Sequence, residues 1–231
     1  MSRLGGWIWR LFALAAGLLF LYQLWFLAQV LWWRWNDPSS SAFMEDRLET
    51  LQDRNPRAEL RHQWVPYDRI SNHLKRAIVS AEDAKFLDHE GFDWDAIQQA
   101  YEKNLRKGRV VRGGSTISQQ LAKNLFLSGR RTPWRKAQEA VITLMLETAW
   151  SKRRILEVYL NIIEWGNGVF GAEAAARHYF GISASRLSAD QAARLAAMVP
   201  NPRYFDRRRD SAYLYRRTEI ILGRMNAAQI P

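Results

Sequence analysis

The chain contains no cysteine, which excludes disulfides and thiolate metal sites and is compatible with an oxidising compartment without demonstrating one. Histidine is scarce, four in 231 residues, and none stands in an HExxH spacing, so a zinc-hydrolase pattern is missing. Alternating apolar and polar runs are few, which argues against a sheet-based fold. Internal repeats and low-complexity tracts are absent. Acidic residues are outnumbered, 23 against 34 basic ones, for a net charge of +11. Residues 1–44 hold three arginines and one aspartate, so nine of these eleven excess charges belong to residues 45–231. Such a basic domain is drawn to anionic lipid or to a phosphorylated substrate. With no zinc-finger, bZIP or RNP-type pattern, no nucleic-acid partner is expected.

What the chain does have is a long apolar run. Leu11 to Trp33 carries no charge, and Gln23 and Gln29 are its only strongly polar residues. It is long enough to cross a hydrocarbon core roughly 30 Å thick. A cleavable leader is disfavoured, because the run passes directly into Trp32, Trp33, Arg34 and Trp35 with no small-residue cleavage site. Six of the eleven tryptophans, at positions 7, 9, 25, 32, 33 and 35, form belts about the span. Arg3 and Arg10 precede it, whereas Arg34 is offset by Asp37, which favours a cytoplasmic N-terminus. The expected layout is a tip and transmembrane helix over 1–36, a Pro/Ser linker over 37–44, and one soluble domain over 45–231.

Beyond the linker the apolar spacing is helical. Leu74, Ala77, Ile78 and Ala81 form one expected buried face, and Val141, Leu144, Met145 and Thr148 another. Asn72, Thr132 followed by Pro133, and Ser151 are expected N-caps, and Ser188 with Gln191 reads as a capping box. Lys107–Gly114, with three glycines and a cluster of cations, reads as a mobile loop over the site.

Several polar clusters could carry chemistry. Glu82 lies next to Asp83, with Phe86 and His89 at the succeeding turns, and a like-charged neighbour and partial burial would both raise its pKa toward a useful base. Gly114 to Gln120 sets hydroxyls and amides at a helix start with Lys123 a turn later, suited to phosphate or sugar oxygens. Arg135, Lys136 and Glu139 lie within one turn of each other, and Lys152 and Asn161 flank the apolar residues Ile155, Leu156 and Tyr159. Taken singly, each cluster is explained as well by a capped helix, a surface ion pair or core support.

In order, however, these clusters match one pattern. EDxxFxxHxG (Glu82–Gly91), GGSTxxQQLxKN (Gly113–Asn124), RKxxE (Arg135–Glu139) and KxxIxxxYxN (Lys152–Asn161) together resemble the peptidoglycan glycosyltransferases that polymerise lipid II. A fifth element, an arginine before an aliphatic pair, corresponds to Arg216 or Arg217 with Ile220 and Ile221. The resemblance covers residues 71–222, and with Pro231 so soon after, no C-terminal transpeptidase domain is expected.

The resemblance implies a mainly α, lysozyme-like domain with a small membrane-proximal lobe, facing the periplasm from the bacterial inner membrane on a single-pass anchor. It implies joining the acceptor 4-hydroxyl to the donor anomeric carbon, with inversion and loss of undecaprenyl pyrophosphate. Glu82 is the implied base, with Asp83 and Glu139 as further catalytic residues. Ser115, Thr116, Gln119, Gln120, Lys123, Arg131, Arg135, Lys136, Lys152 and Asn161 are the implied substrate-binding residues. A divalent cation, Mg²⁺ or Mn²⁺, bridging the pyrophosphate with Asp83 and Glu139 as ligands is the one candidate cofactor. The implied partners are lipid II, the growing glycan strand, the membrane, and proteins of the cell-division or elongation machinery. Two rivals remain: a lytic enzyme on the same scaffold, and a non-catalytic recruiter with a basic face.

Overall fold

The computed structural model describes residues 3–108, 113–127, 129 and 132–231. Eleven α-helices are described: α1 (Arg3–Trp33), α2 (Ala42–Gln52), α3 (Asn72–Glu82), α4 (Trp94–Lys107), α5 (Ile117–Phe126), α6 (Pro133–Ala149), α7 (Lys152–Ile162), α8 (Ala172–Phe180), α9 (Ala189–Met198), α10 (Pro202–Arg207) and α11 (Ala212–Arg224). A small sheet completes the fold, with β1 (Arg61–His62) parallel to β3 (Val169–Phe170), which runs antiparallel to β2 (Glu164–Gly166). Strands of two or three residues are too short to leave an alternating pattern in the sequence.

The chain is mainly α because the local signals agree. Thr132 with Pro133 starts α6, Ser151 starts α7, and Ser188 with Gln191 boxes the start of α9. The cap of α3 is Ser71 rather than Asn72: the Ser71 hydroxyl accepts from the His73 N–H at 3.2 Å, and Asn72 is already helical. Ser41, within the expected linker, caps α2, so ordered helix begins at Ala42.

Helix α9 sits centrally against α3 and α11. Its Ala192, Ala193, Ala196 and Ala197 are fully buried, and small side chains allow such close helix approach. Leu74, Ala77 and Ile78 of α3 are buried as the spacing predicts. A second layer packs α5 on α6 and α7, where Ile155, Leu156 and Tyr159 are buried.

Helix α1 contains one stretch, Trp7–Trp33, long and apolar enough by length and composition to span a bilayer. Its last turns also pack against the domain. Phe26 and Val30 are buried in the domain, and the Gln23 and Gln138 amides exchange two hydrogen bonds, at 2.8 and 3.0 Å. The Trp150 indole donates to the Val30 carbonyl at 2.7 Å, and Arg154 bonds the carbonyls of Trp33 and Asn36 and pairs with Asp37 at 2.9 Å.

The expected buried face of α6 is corrected. Val141 and Leu144 are exposed, 38% and 54%, whereas Gln138, Glu139, Ile142, Thr143 and Leu146 are buried. Period identifies an apolar stripe but not what covers it, and here the inward face combines Ile142 and Leu146 with the polar Gln138, Glu139 and Thr143. Beside α1, Trp134 is 59% exposed, whereas Leu127 is buried and Phe126 packs against Phe26 and Trp33. Within the loop expected over Lys107–Gly114, Arg109–Arg112 lie outside the described residues.

Candidate active site

Helix α3 delivers Glu82 on its last turn, because Leu74, Ala77 and Ile78 lock the preceding turns into the core. The Glu82 side chain is 12% exposed. Its Oε2 accepts from the Gln120 side-chain amide at 3.0 Å, and Oε1 lies 3.6 Å from Arg217 Nη2. The Tyr159 hydroxyl donates to Gln120 Oε1 at 3.0 Å, which fixes the orientation of that amide. Burial raises the Glu82 pKa above the ordinary glutamate value. The Gln120 bond and the charges of Arg217 and Lys123 oppose the rise, and Asp83 adds to it. This is a carboxylate held in one orientation and poised to take a proton.

Asp83 is buried and acts as a junction. Its Oδ2 accepts the N–H of Ile117, the first residue of α5, at 2.9 Å, and its carboxylate receives His89 Nε2 at 2.9 and 3.1 Å. The Gly91 N–H donates to His89 Nδ1 at 3.1 Å, so the His89 proton sits on Nε2. Gly91 has φ +92°, and a Cβ there would lie 2.7 Å from the Thr143 methyl. The Gly91 carbonyl accepts from Thr116 Oγ1 at 2.7 Å, and Thr116 forms a capping box with Gln119. Gly114 allows the chain to pass here, since its Cβ would be 3.0 Å from the backbone of Ile97. The second motif is thus positioned by the first.

Alongside lies a cleft of about 730 Å³, lined by Ser115, Gln119, Gln120, Lys123 and Asn124 from the second motif, by Arg135, Lys136 and Glu139 from α6, and by Arg47, Glu164 and Arg203 opposite. Glu139 is 3% exposed; its Oε2 takes Arg135 Nη1 at 3.0 Å and its Oε1 takes Lys136. A buried carboxylate clamping two cations sets both at the cleft wall, and Lys123 lies over the Phe43 ring at 5.4 Å.

Not every residue implied by the resemblance lines this space. Thr116 is 2% exposed and serves as the α5 cap. Asn161 is fully buried, trading bonds with Val65 N–H and carbonyl at 3.0 and 2.9 Å and with the Glu157 carbonyl at 2.9 Å, so it has no surface to offer a substrate. Lys152 donates to the His89 carbonyl at 2.6 Å and pairs with Glu147 at 2.8 Å, bracing the Asp83 junction from behind. Arg131 lies outside the described residues. A metal held by Asp83 and Glu139 does not fit the donors present, since the Asp83 carboxylate takes His89 and Ile117 and the Glu139 oxygens take Arg135 and Lys136. Among the described residues no group of three His, Cys, Asp or Glu could hold an ion.

Sequence reasoning left Arg216 and Arg217 as alternatives, and the side chain at Glu82 is that of Arg217. It did not single out Arg47, Glu164 or Arg203, which stand in none of the ordered motifs. It placed Tyr159 only in the core, where its contact with Gln120 has no local signature.

The transglycosylase family model matches residues 47–226. The chain is 66% identical over 225 residues to the biosynthetic peptidoglycan transglycosylase of Nitrosospira multiformis, covering 97% of this chain and 98% of that one. It is 59% identical to the protein of the same name from Chromobacterium violaceum and 62% to that from Dechloromonas aromatica, both over the whole of each chain.

Proposed function

This chain belongs to the transglycosylase family and is a peptidoglycan glycosyltransferase, and we propose that it polymerises lipid II into β-1,4-linked glycan with inversion and release of undecaprenyl pyrophosphate. The 4-hydroxyl oxygen of the acceptor sugar attacks the anomeric carbon of the donor. The bond from that carbon to the phosphate oxygen breaks, the electron pair leaves on the pyrophosphate, and the hydroxyl proton passes to Glu82. Direct displacement converts an α-linked donor to a β-linked product and needs no covalent enzyme intermediate.

The observation that carries this reading is the pairing of one largely buried, pKa-raised carboxylate, Glu82, with a cleft walled by Lys123, Arg135 and Lys136. A general base must be both anionic and willing to take a proton, and the Glu82 surroundings act in both directions: burial keeps the carboxylate basic, while Gln120 and Arg217 favour the anion. The wall cations are set to stabilise charge building on the departing pyrophosphate. Both substrates are lipid-bound, so an enzyme on a membrane anchor works at their surface. The exposed apolar edge of α6 beside α1 supports a catalytic domain seated against the outer face of the inner membrane, with the N-terminus cytoplasmic. Proteins of the division or elongation machinery are proposed partners at that surface.

The test is polymerisation of labelled lipid II by the detergent-solubilised full-length protein. Glu82→Gln should fold as the parent does and lose a factor of roughly 10²–10⁴ in turnover. Undiminished turnover in that variant would remove Glu82 as the base, and cleavage of preformed glycan by the parent would favour the lytic rival.

A further inference from the structure

Beyond the main cleft lies a second recess of about 660 Å³, and the two share a wall formed by Arg47, Asn201 and Arg203. The recess adds Arg54 and Arg207, so four guanidinium groups converge on one space. The nearby acids do not balance them. Asp206, which also lines the recess, has its Oδ1 taken by His178 at 2.9 Å and Arg209 at 2.8 Å and its Oδ2 by the Asn167 N–H at 3.1 Å. Glu164 is shared between Arg47 at 3.3 Å and Arg203 at 3.5 Å. Among the described residues the side chains of Arg54 and Arg207 make no hydrogen bond or ion pair. The crowding is felt by Arg47: burial lowers its pKa and Glu164 opposes that, while Arg203 and Arg54 lower it further. A recess with surplus guanidinium charge fits a carboxylate or a phosphate.

Two anions belong to the proposed substrate, and position separates them. The pyrophosphate is fixed to lipid and meets Lys123, Arg135 and Lys136, on α5 and α6 beside the anchor. Arg54 instead lies just past α2, whose eleven residues carry the chain about 16 Å from Ser41 at the anchor end. Arg207 ends α10, which packs on β2 and α9. The other anion is implied by the polymer itself: peptidoglycan units carry peptides, and a peptide ends in a carboxylate. Resting on the lipid II reading above, we propose that this recess binds the peptide carboxylates of the sugar unit held in the adjoining cleft, making Arg54 and Arg207 specificity-determining residues.

The experiment compares labelled lipid II bearing free peptide carboxylates with the same substrate amidated, using the full-length solubilised protein. The parent should show a KM roughly ten-fold lower for the free acid, and Arg54→Gln/Arg207→Gln should abolish most of that preference while kcat stays within about two-fold. Arg54→Lys/Arg207→Lys, which retains the charge but not the fork, should recover part of the preference. Matching melting temperatures establish that the variants are folded. Equal KM for both substrates in the parent overturns the proposal, as does a rise that is the same for both substrates in the glutamine variant, which would assign the recess to pyrophosphate or sugar. If the parent makes no polymer from either substrate, the lipid II reading fails instead.

Discussion

At the residue scale, the behaviour of Glu82 arises from its burial and from four neighbours, Gln120, Arg217, Lys123 and Asp83. Burial raises its pKa, so the proton it must lose before acting as a base is held to a higher pH than in an ordinary glutamate. A base works only when deprotonated, so kcat/KM should fall as pH drops through that raised value, with an acid limb above the ordinary 4.5. Gln120 donates to the charged form and opposes the rise. Gln120→Ala should therefore move the acid limb further up in pH, while an unmoved or lowered limb would show that the amide does not control this carboxylate. Asp83 and Asn161 carry a different lesson. Both stand in conspicuous motifs, yet their polar atoms are used to join helix starts and loop backbones, so their contribution to the site is positional.

At the element scale, α6 serves two neighbours through adjacent residues. Gln138 meets the anchor helix and Glu139 sets the cations of the cleft. The Gln23–Gln138 pair is reciprocal, and in apolar surroundings a lone amide is costly because no water replaces the missing partner. Gln23→Leu alone should destabilise the protein, and Gln23→Leu/Gln138→Leu should recover much of the loss. A double-mutant cycle on thermal unfolding in one detergent should give a coupling of about 1 kcal/mol. Additive single effects would mean that the pair is incidental.

At the scale of the whole molecule, the anchor is part of the folded body. A tether alone would change only the local concentration of substrate, and removing it would raise the apparent substrate requirement. The contacts of its last turns with the domain, among them the Gln23–Gln138 pair and the Trp150 bond to the Val30 carbonyl at about 1 kcal/mol per hydrogen bond, add a structural role. Deleting residues 1–35 should therefore raise KM and also lower the melting temperature by more than about 5 °C, at 2–4 °C per kcal/mol for a chain of this size. Calorimetry of parent and truncated protein in one detergent checks this, and an unchanged melting temperature would leave the anchor as a tether only.

The helical class, the apolar span, three of the helix starts and the order of the motifs were legible in the chain alone, because each is a local property: a period, a cap, or a spacing along one chain. The caps at Thr132, Ser151 and Ser188 were readable for that reason. Which polar residues face the cleft was settled by packing in three dimensions. It turned Asn161 and Thr116 into fully engaged framework, chose Arg217 over Arg216, exposed Val141 and Leu144, and brought Arg47, Arg54, Arg203 and Arg207 to one recess from distant positions. Helical period says which residues share a face, and nothing in it says whether protein, lipid or substrate will cover that face; only packing against other helices does.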